Sequence, residues 1–312
     1  MDSSKDEITF EFFGIRLYKD GRVERKDVGF TPPSLDPSTE VSSKDVIINP
    51  QTGVSARLYL PKISDPNNKL PLLIYTHGGA FCMESAFSPL YHSYLNSLVA
   101  QANVVALSVE YRLAPENPIS ILYDDVWEAL QWAISQSEEE EWFKKYVDFD
   151  RVFLAGDSAG GNITHNIAMR AGNSEMKKGV KIAGVLLFHP LFCGAAPIGS
   201  EVTTLNHIRA GKLWCDVCPG TIGPDDPRFN PLKDSNLSRI GCKRMFVCVA
   251  QDDELRDRGR LYYEELGKCG WDGVVEFMET DGENHVFHLF KPDCEKAKEL
   301  MKRVVSFLNS SE

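Results

Sequence analysis

Phe153-Leu154-Ala155-Gly156-Asp157-Ser158-Ala159-Gly160-Gly161-Asn162 is the stretch on which the fold turns. Its apolar front, residues 152–155, is short and bounded, which predicts a buried strand. Its continuation, residues 162–171, carries helical spacing. Between them lies Gly-x-Ser-x-Gly, the turn that lifts a serine hydroxyl above the end of a sheet. A turn that sharp brings flanking side chains into the backbone, so Gly156 and Gly160 relieve the crowding on either side of Ser158. The helix that follows points its first N–H groups at the same place, where they favour developing negative charge. The bare pattern is common in proteins; the strand before it and the helix after it give it meaning.

Outward from this turn the chain alternates. Further buried strands are expected at 72–75, 104–107, 182–188, 245–250 and 274–278. Helical spacing runs through 123–135, 258–268 and 295–308. Apolar runs separated by helices predict an α/β protein with a mostly parallel sheet flanked by helices. The segments 45–48 and 54–60 flank a Pro-Gln-Thr-Gly turn and read as an antiparallel hairpin at one edge. Residues 1–40 and 193–240 break the alternation, and long excursions of that kind usually form functional lids. The expectation is one domain over 1–312, with both excursions folded over the sheet as a cap.

His77-Gly78-Gly79-Ala80-Phe81 follows the strand at 72–75 directly. It lies about 80 residues before Ser158, where a loop of oxyanion donors belongs in such a protein. Attack by a serine puts negative charge on a carbonyl oxygen, and each fixed N–H donor lowers that barrier by ~3 kcal/mol. Gly78, Gly79 and Ala159 are the expected donors, and His77 is read as bracing the loop. A serine hydroxyl also needs a histidine base, itself oriented by a carboxylate, in the chain order Ser, acid, His. His165 falls in the helix after the turn, His189 at a strand end before Pro190, and His207 in the expected cap. The base is then expected from Gly282-Glu283-Asn284-His285-Val286-Phe287-His288, between the last strand and the last helix. His285 follows the turn directly and is chosen over His288. The acid should leave the strand at 245–250, where Gln251-Asp252-Asp253-Glu254 offers several carboxylates. Asp253 is the choice and Asp252 its rival, since spacing alone does not separate them.

Composition limits the partners. The 312 residues are 43% hydrophobic and 25% charged, enough for a large core, with a net charge of −11. An acidic surface disfavours nucleic acid and anionic membranes. No apolar stretch reaches the roughly 18 residues of a membrane span, and the opening residues lack the pattern of a secretory leader. A cytoplasmic location follows, with nuclear entry open. Eight dispersed cysteines read as free thiols; Cys215 and Cys218 imitate a redox pair without its strand–helix context. Serine–histidine–carboxylate chemistry needs no metal or organic cofactor, so none is expected, and no carboxylate or cysteine completes a metal ligand set for the pair His285 and His288. A monomer or weak homodimer is expected.

Several motifs together resemble one family. His77-Gly78-Gly79-Ala80-Phe81, Tyr111-Arg112-Leu113-Ala114-Pro115-Glu116, Gly156-Asp157-Ser158-Ala159-Gly160-Gly161, Asp253-Glu254-Leu255-Arg256-Asp257 and the 282–287 segment occur in the order found there. The sequence resembles the hormone-sensitive-lipase-like branch of the α/β hydrolases, and within it the plant carboxylesterases, across essentially its whole length. The resemblance implies the α/β-hydrolase fold, a Ser158–Asp253–His285 triad and hydrolysis of a small-molecule carboxylic ester through an acyl-enzyme. It supports Asp253 as the acid, the first aspartate of the family's D-x-L-R-D pattern. Ala80 departs from the family, where many members have a third glycine. The same group contains dehydratases of isoflavonoid precursors, cyclases of alkaloid precursors, and gibberellin receptors without the histidine. Those are the alternative readings, and retention of His285 weighs against the receptor.

Overall fold

The computed structural model describes residues 7–310. Its centre is an eight-stranded sheet built from β4 (Ser42–Asn49), β5 (Val54–Leu60), β6 (Leu70–Thr76), β7 (Val105–Glu110), β8 (Val147–Asp157), β9 (Ile182–Phe188), β10 (Arg244–Ala250) and β11 (Val274–Thr280). The order across it is β11-β10-β9-β8-β6-β7-β5-β4. The strands from β6 to β11 pair in parallel; β5 runs antiparallel to β7, and β4 antiparallel to β5. The expected edge hairpin and parallel sheet are therefore both present. Every residue of β6 is buried, as a strand covered on both faces requires.

The period-two alternation of a strand divides these residues between two cores. Leu70, Leu72 and Ile74 pack with residues of α2 (Ile119–Ser135) and α4 (Ala159–Asn173). Leu73 and Tyr75 pack on the other face with α1 (Pro89–Ala102) and α9 (Glu295–Asn309). In α9 the buried residues Ala297, Leu300, Val304, Phe307 and Leu308 form one helical stripe. In α1 the stripe is masked, because the polar residues His92 and Asn96 are buried along with Leu95 and Leu98. Three shorter helices follow α2 and α4: α3 (Glu141–Tyr146), α5 (Glu201–Thr204) and α6 (Asn206–Val217). The remaining two are α7 (Arg256–Leu266) and α8 (Phe287–Phe290).

The first excursion is more regular than its polar composition suggests. It forms a three-stranded antiparallel sheet, β1 (Ile8–Phe12), β2 (Ile15–Tyr18) and β3 (Val23–Glu24). Phe10 and Ile15 of this sheet join the same core as Leu213, Trp214 and Val217 of α6. Phe12 and Phe13 line one cavity with Arg209 and Leu213 of α6, so the two excursions are neighbours. Residues 1–6 of the expected first cap element lie outside the described residues. No helix among the described residues is long and apolar enough to cross a membrane.

Candidate active site

β6, β8, β10 and β11 all end at the same side of the sheet, and the loop after each brings one part of the site. After β8 comes Ser158, at φ 53° and ψ −119°. A residue so placed persists only where its surroundings hold it. The Ser158 N–H donates to the Phe188 carbonyl at 2.8 Å, and its own carbonyl accepts from the Leu191 N–H at 2.9 Å. The glycines on either side are needed for space. A Cβ at Gly156 would stand 2.4 Å from the Gly160 carbonyl oxygen, and one at Gly160 would stand 2.1 Å from the Thr76 carbonyl oxygen.

The histidine and acid chosen from the sequence converge on this serine. His285 Nε2 is 2.9 Å from Ser158 Oγ, and His285 Nδ1 is 2.8 Å from Asp253 Oδ2. With Asp253 ionised, Nδ1 donates and Nε2 is left as the acceptor facing the hydroxyl, a tautomer that the hydrogen-bond network assigns. Burial alone would lower the pKa of the His285 ring; Asp253 outweighs it and holds the ring above its ordinary value. Burial likewise opposes ionisation of Asp253, and His285 and His189 overcome it, keeping this carboxyl well below the usual range. Asp253 Oδ1 accepts from the Leu255 N–H at 2.9 Å. The rival Asp252 is exposed, and its N–H donates to the Glu283 carbonyl. His288 is buried one helical turn along; neither of its ring nitrogens has a partner among the described residues.

The loop after β6 corrects one assignment. The Gly78 N–H is not open to the site: it donates to the Tyr91 hydroxyl at 2.8 Å. The Tyr91 hydroxyl in turn donates to Asp157 Oδ2 at 2.8 Å, while the Tyr75 hydroxyl donates to Oδ1 at 2.9 Å. The physical reason is proximity, since a Cβ at Gly78 would stand 2.4 Å from Asp157 Oδ2. The loop is therefore bolted to the elbow through a tyrosine, which uses up one expected donor. Gly79 at φ 101° and Ala80 at φ 52° continue the loop and are partly exposed. Ala159 is the first residue of α4. His77 is fully buried and stacked on Tyr111 at 4.3 Å, with Nδ1 2.9 Å from the Gly78 carbonyl oxygen. Burial holds its pKa down at about 4, so it stays neutral inside the loop.

Sequence reasoning missed three participants in this network: Tyr75, Tyr91 and His189. None stands in a motif with its partner, and only the folded sheet joins them. The group His189, Asp253 and His285 is the one set of three or more His, Cys, Asp or Glu ligand atoms that all lie within 4.8 Å of one another among the described residues. Its N···O separations of 2.8 and 2.9 Å are those of N–H···O bonds, so we read it as a set that carries protons. All eight cysteines are free; Cys215 is exposed and Cys218 buried.

Comparison with known proteins bears on this arrangement. The family described as alpha/beta hydrolase fold matches residues 73–289. A protein of Arabidopsis thaliana named "Probable carboxylesterase 2" is 45% identical, over 100% of both chains. A "2-hydroxyisoflavanone dehydratase" of Glycyrrhiza echinata is also 45% identical, over 94% of each chain. Among solved structures, a hyperthermophilic esterase from Pyrobaculum calidifontis superimposes with a TM-score of 0.69 at 26% identity, covering 85% of this chain and 84% of that one. The esterase LipW of Mycobacterium marinum shares the fold, with a TM-score of 0.72 at 22% identity over 87% of this chain and 82% of that one. The chain belongs to the α/β-hydrolase family and, within it, to the plant carboxylesterases.

Proposed function

We propose that this protein hydrolyses small-molecule carboxylic esters through a Ser158–His285–Asp253 triad and an acyl-enzyme. The observation that carries the reading is the unbroken line of contacts, Ser158 Oγ to His285 Nε2 at 2.9 Å and His285 Nδ1 to Asp253 Oδ2 at 2.8 Å. Neutral His285 takes the Ser158 proton as Oγ attacks the ester carbonyl. The oxyanion is received by the N–H groups of Gly79 and Ala159. With Gly78 engaged by Tyr91, the N–H of Ala80 becomes the third donor. Collapse of the tetrahedral intermediate breaks the ester C–O bond, and His285 returns its proton to the departing alcohol. Water, deprotonated by the same histidine, then releases the acid and restores Ser158. Residues 8–24 and the segment around α6 act as the cap over the site. The eight free thiols suit a reducing compartment, in keeping with a cytoplasmic location; one relative carries "mitochondrial" in its name.

A second reading has its own support in the relatives named 2-hydroxyisoflavanone dehydratase, at 45% and 42% identity. There the same histidine would move a proton in an elimination, with no acyl-enzyme. Hydrolysis of p-nitrophenyl acetate and butyrate by wild type and Ser158→Ala separates the two. Ester hydrolysis predicts steady turnover that falls on the order of 10³-fold or more in the variant. Its kcat/KM should fall on the acid side with a midpoint above 6.5, because the base works only unprotonated and its pKa is raised. Absence of turnover in folded wild type would abandon esterase chemistry for elimination.

A further inference from the structure

Asp253 serves two imidazoles through one oxygen. Its Oδ2 lies 2.8 Å from Nδ1 of His285 and 2.9 Å from Nδ1 of His189. Both contacts need the carboxylate as acceptor, so His189, like His285, carries its proton on Nδ1. His189 is 1% exposed, stands at the end of β9, and adopts φ 47°. That left-handed backbone is held in place. The His189 N–H donates to the Cys248 carbonyl of β10 at 2.8 Å, and the residues on either side of the His189–Pro190 pair bond Ser158. The ring stacks on His288 at 5.7 Å, and Nε2 has no partner among the described residues. A strained, buried histidine with one hydrogen-bonded nitrogen aimed at the triad acid is an expensive way to fill space.

We propose that His189 is a positioning residue that divides the Asp253 carboxylate with His285, and so sets the acidity of the catalytic base. The inference rests on the triad reading above. A second N–H on Oδ2 draws charge from that oxygen, leaving less for the imidazolium that His285 becomes. With His189 present, the base releases its proton at a lower pH than a carboxylate reserved for it would allow. The second donor also fixes the plane of the carboxylate, which the Leu255 N–H holds only through Oδ1. His189 itself stays neutral. It faces Asp253, His285 and His288, and burial together with the His285 charge outweighs Asp253. His285 is faced in addition by Asp157 and Glu254, which the substitutions below leave in place.

The test is the pH profile of kcat/KM for p-nitrophenyl butyrate in His189→Ala and His189→Asn. Asparagine places an N–H donor near the position of Nδ1 and tolerates positive φ. The alanine variant is expected to move its acid limb up by about half a unit, and to lose about tenfold in plateau kcat with KM within twofold. The asparagine variant is expected to return the limb and most of kcat. An unmoved acid limb in a folded His189→Ala protein overturns the proposal, as does an asparagine variant indistinguishable from the alanine one. Ser158→Ala is run alongside. If it keeps turnover, the triad reading fails; if it is dead while His189→Ala matches wild type, only the role of His189 fails.

Discussion

Tyr91 illustrates how single residues define this site. Its hydroxyl accepts from the Gly78 N–H and donates to Asp157, joining the loop after β6 to the elbow after β8. Removing it strands a buried N–H, which costs about 1–3 kcal/mol. Tyr91→Phe is therefore expected to lower the thermal midpoint by several degrees and kcat by roughly tenfold, with KM little changed. Thermal melts and p-nitrophenyl acetate kinetics check both. Ser158 and His285 were legible in the sequence because each sits in a short motif whose spacing is dictated by local backbone. Asp253 was only half legible. Asp252 beside it has the same chemistry, and what separates them is burial against His189 and His285. Gly78 was misread because a motif records which residues line a turn, and not where each N–H points. Tyr75 left no signal, and His189 was weighed only as a base and set aside, since their bonds to Asp157 and Asp253 join separate strands or the loops that follow them.

At the scale of elements, the strands were readable from apolar run length, but 274–278 was expected to be buried and is instead the half-buried edge strand β11, exposed at Val274, because no described strand pairs beyond it in the sheet. Helix α1 was not readable, because burying His92 and Asn96 breaks the apolar stripe. Asn96 Nδ2 meets His92 Nε2 at 3.1 Å, and His92 Nδ1 lies 3.1 Å from the Tyr59 hydroxyl, so tertiary partners make that burial affordable. The second excursion is tied down by α7, the helix that follows Asp253. Arg258 holds Glu201 of α5 through Nε at 2.9 Å and Nη2 at 2.6 Å, and both side chains are 5% exposed. Asp257 accepts from the Ser200 N–H and hydroxyl one residue away. Removing one partner of a buried pair leaves an unpaired charge, which costs about 3–5 kcal/mol. Arg258→Met should lose about that much stability in urea titrations. Arg258→Met with Glu201→Leu should recover much of it, since no charge is then left behind.

For the whole molecule, buried titratable groups pull stability in opposite directions with pH. Burial lowers His165 to about 3, whereas the unfolded histidine titrates near 6.5. Its contribution is complete above pH 6.5 and drains away on acidification, by up to ~1.4 kcal/mol per pH unit, because only the unfolded chain takes the proton. Burial raises Glu110 to about 7 from 4.5, the reverse case. Its contribution is complete below 4.5 and is lost as the pH climbs through 7. Glu110→Gln should therefore raise the thermal midpoint at pH 8 and lose that advantage by pH 5. Its amide oxygen can accept from Ser85 Oγ and the Ala86 N–H, as Oε2 does now. His165→Phe should cost most at pH 8 and least near pH 4. The arrangement of strands has a further consequence, for the birth of the molecule. Ser158 leaves the ribosome well ahead of Asp253 and His285, yet β8 lies inside the sheet and β10 and β11 close it from one side. The turn that holds Ser158 is completed only by β9 and the residues after it, and on the proposed triad the serine meets its base only when the loop after β11, the last parallel strand, has docked. That triad predicts a chain inactive throughout its own synthesis, and a refolding reaction whose first turnover reports a complete sheet.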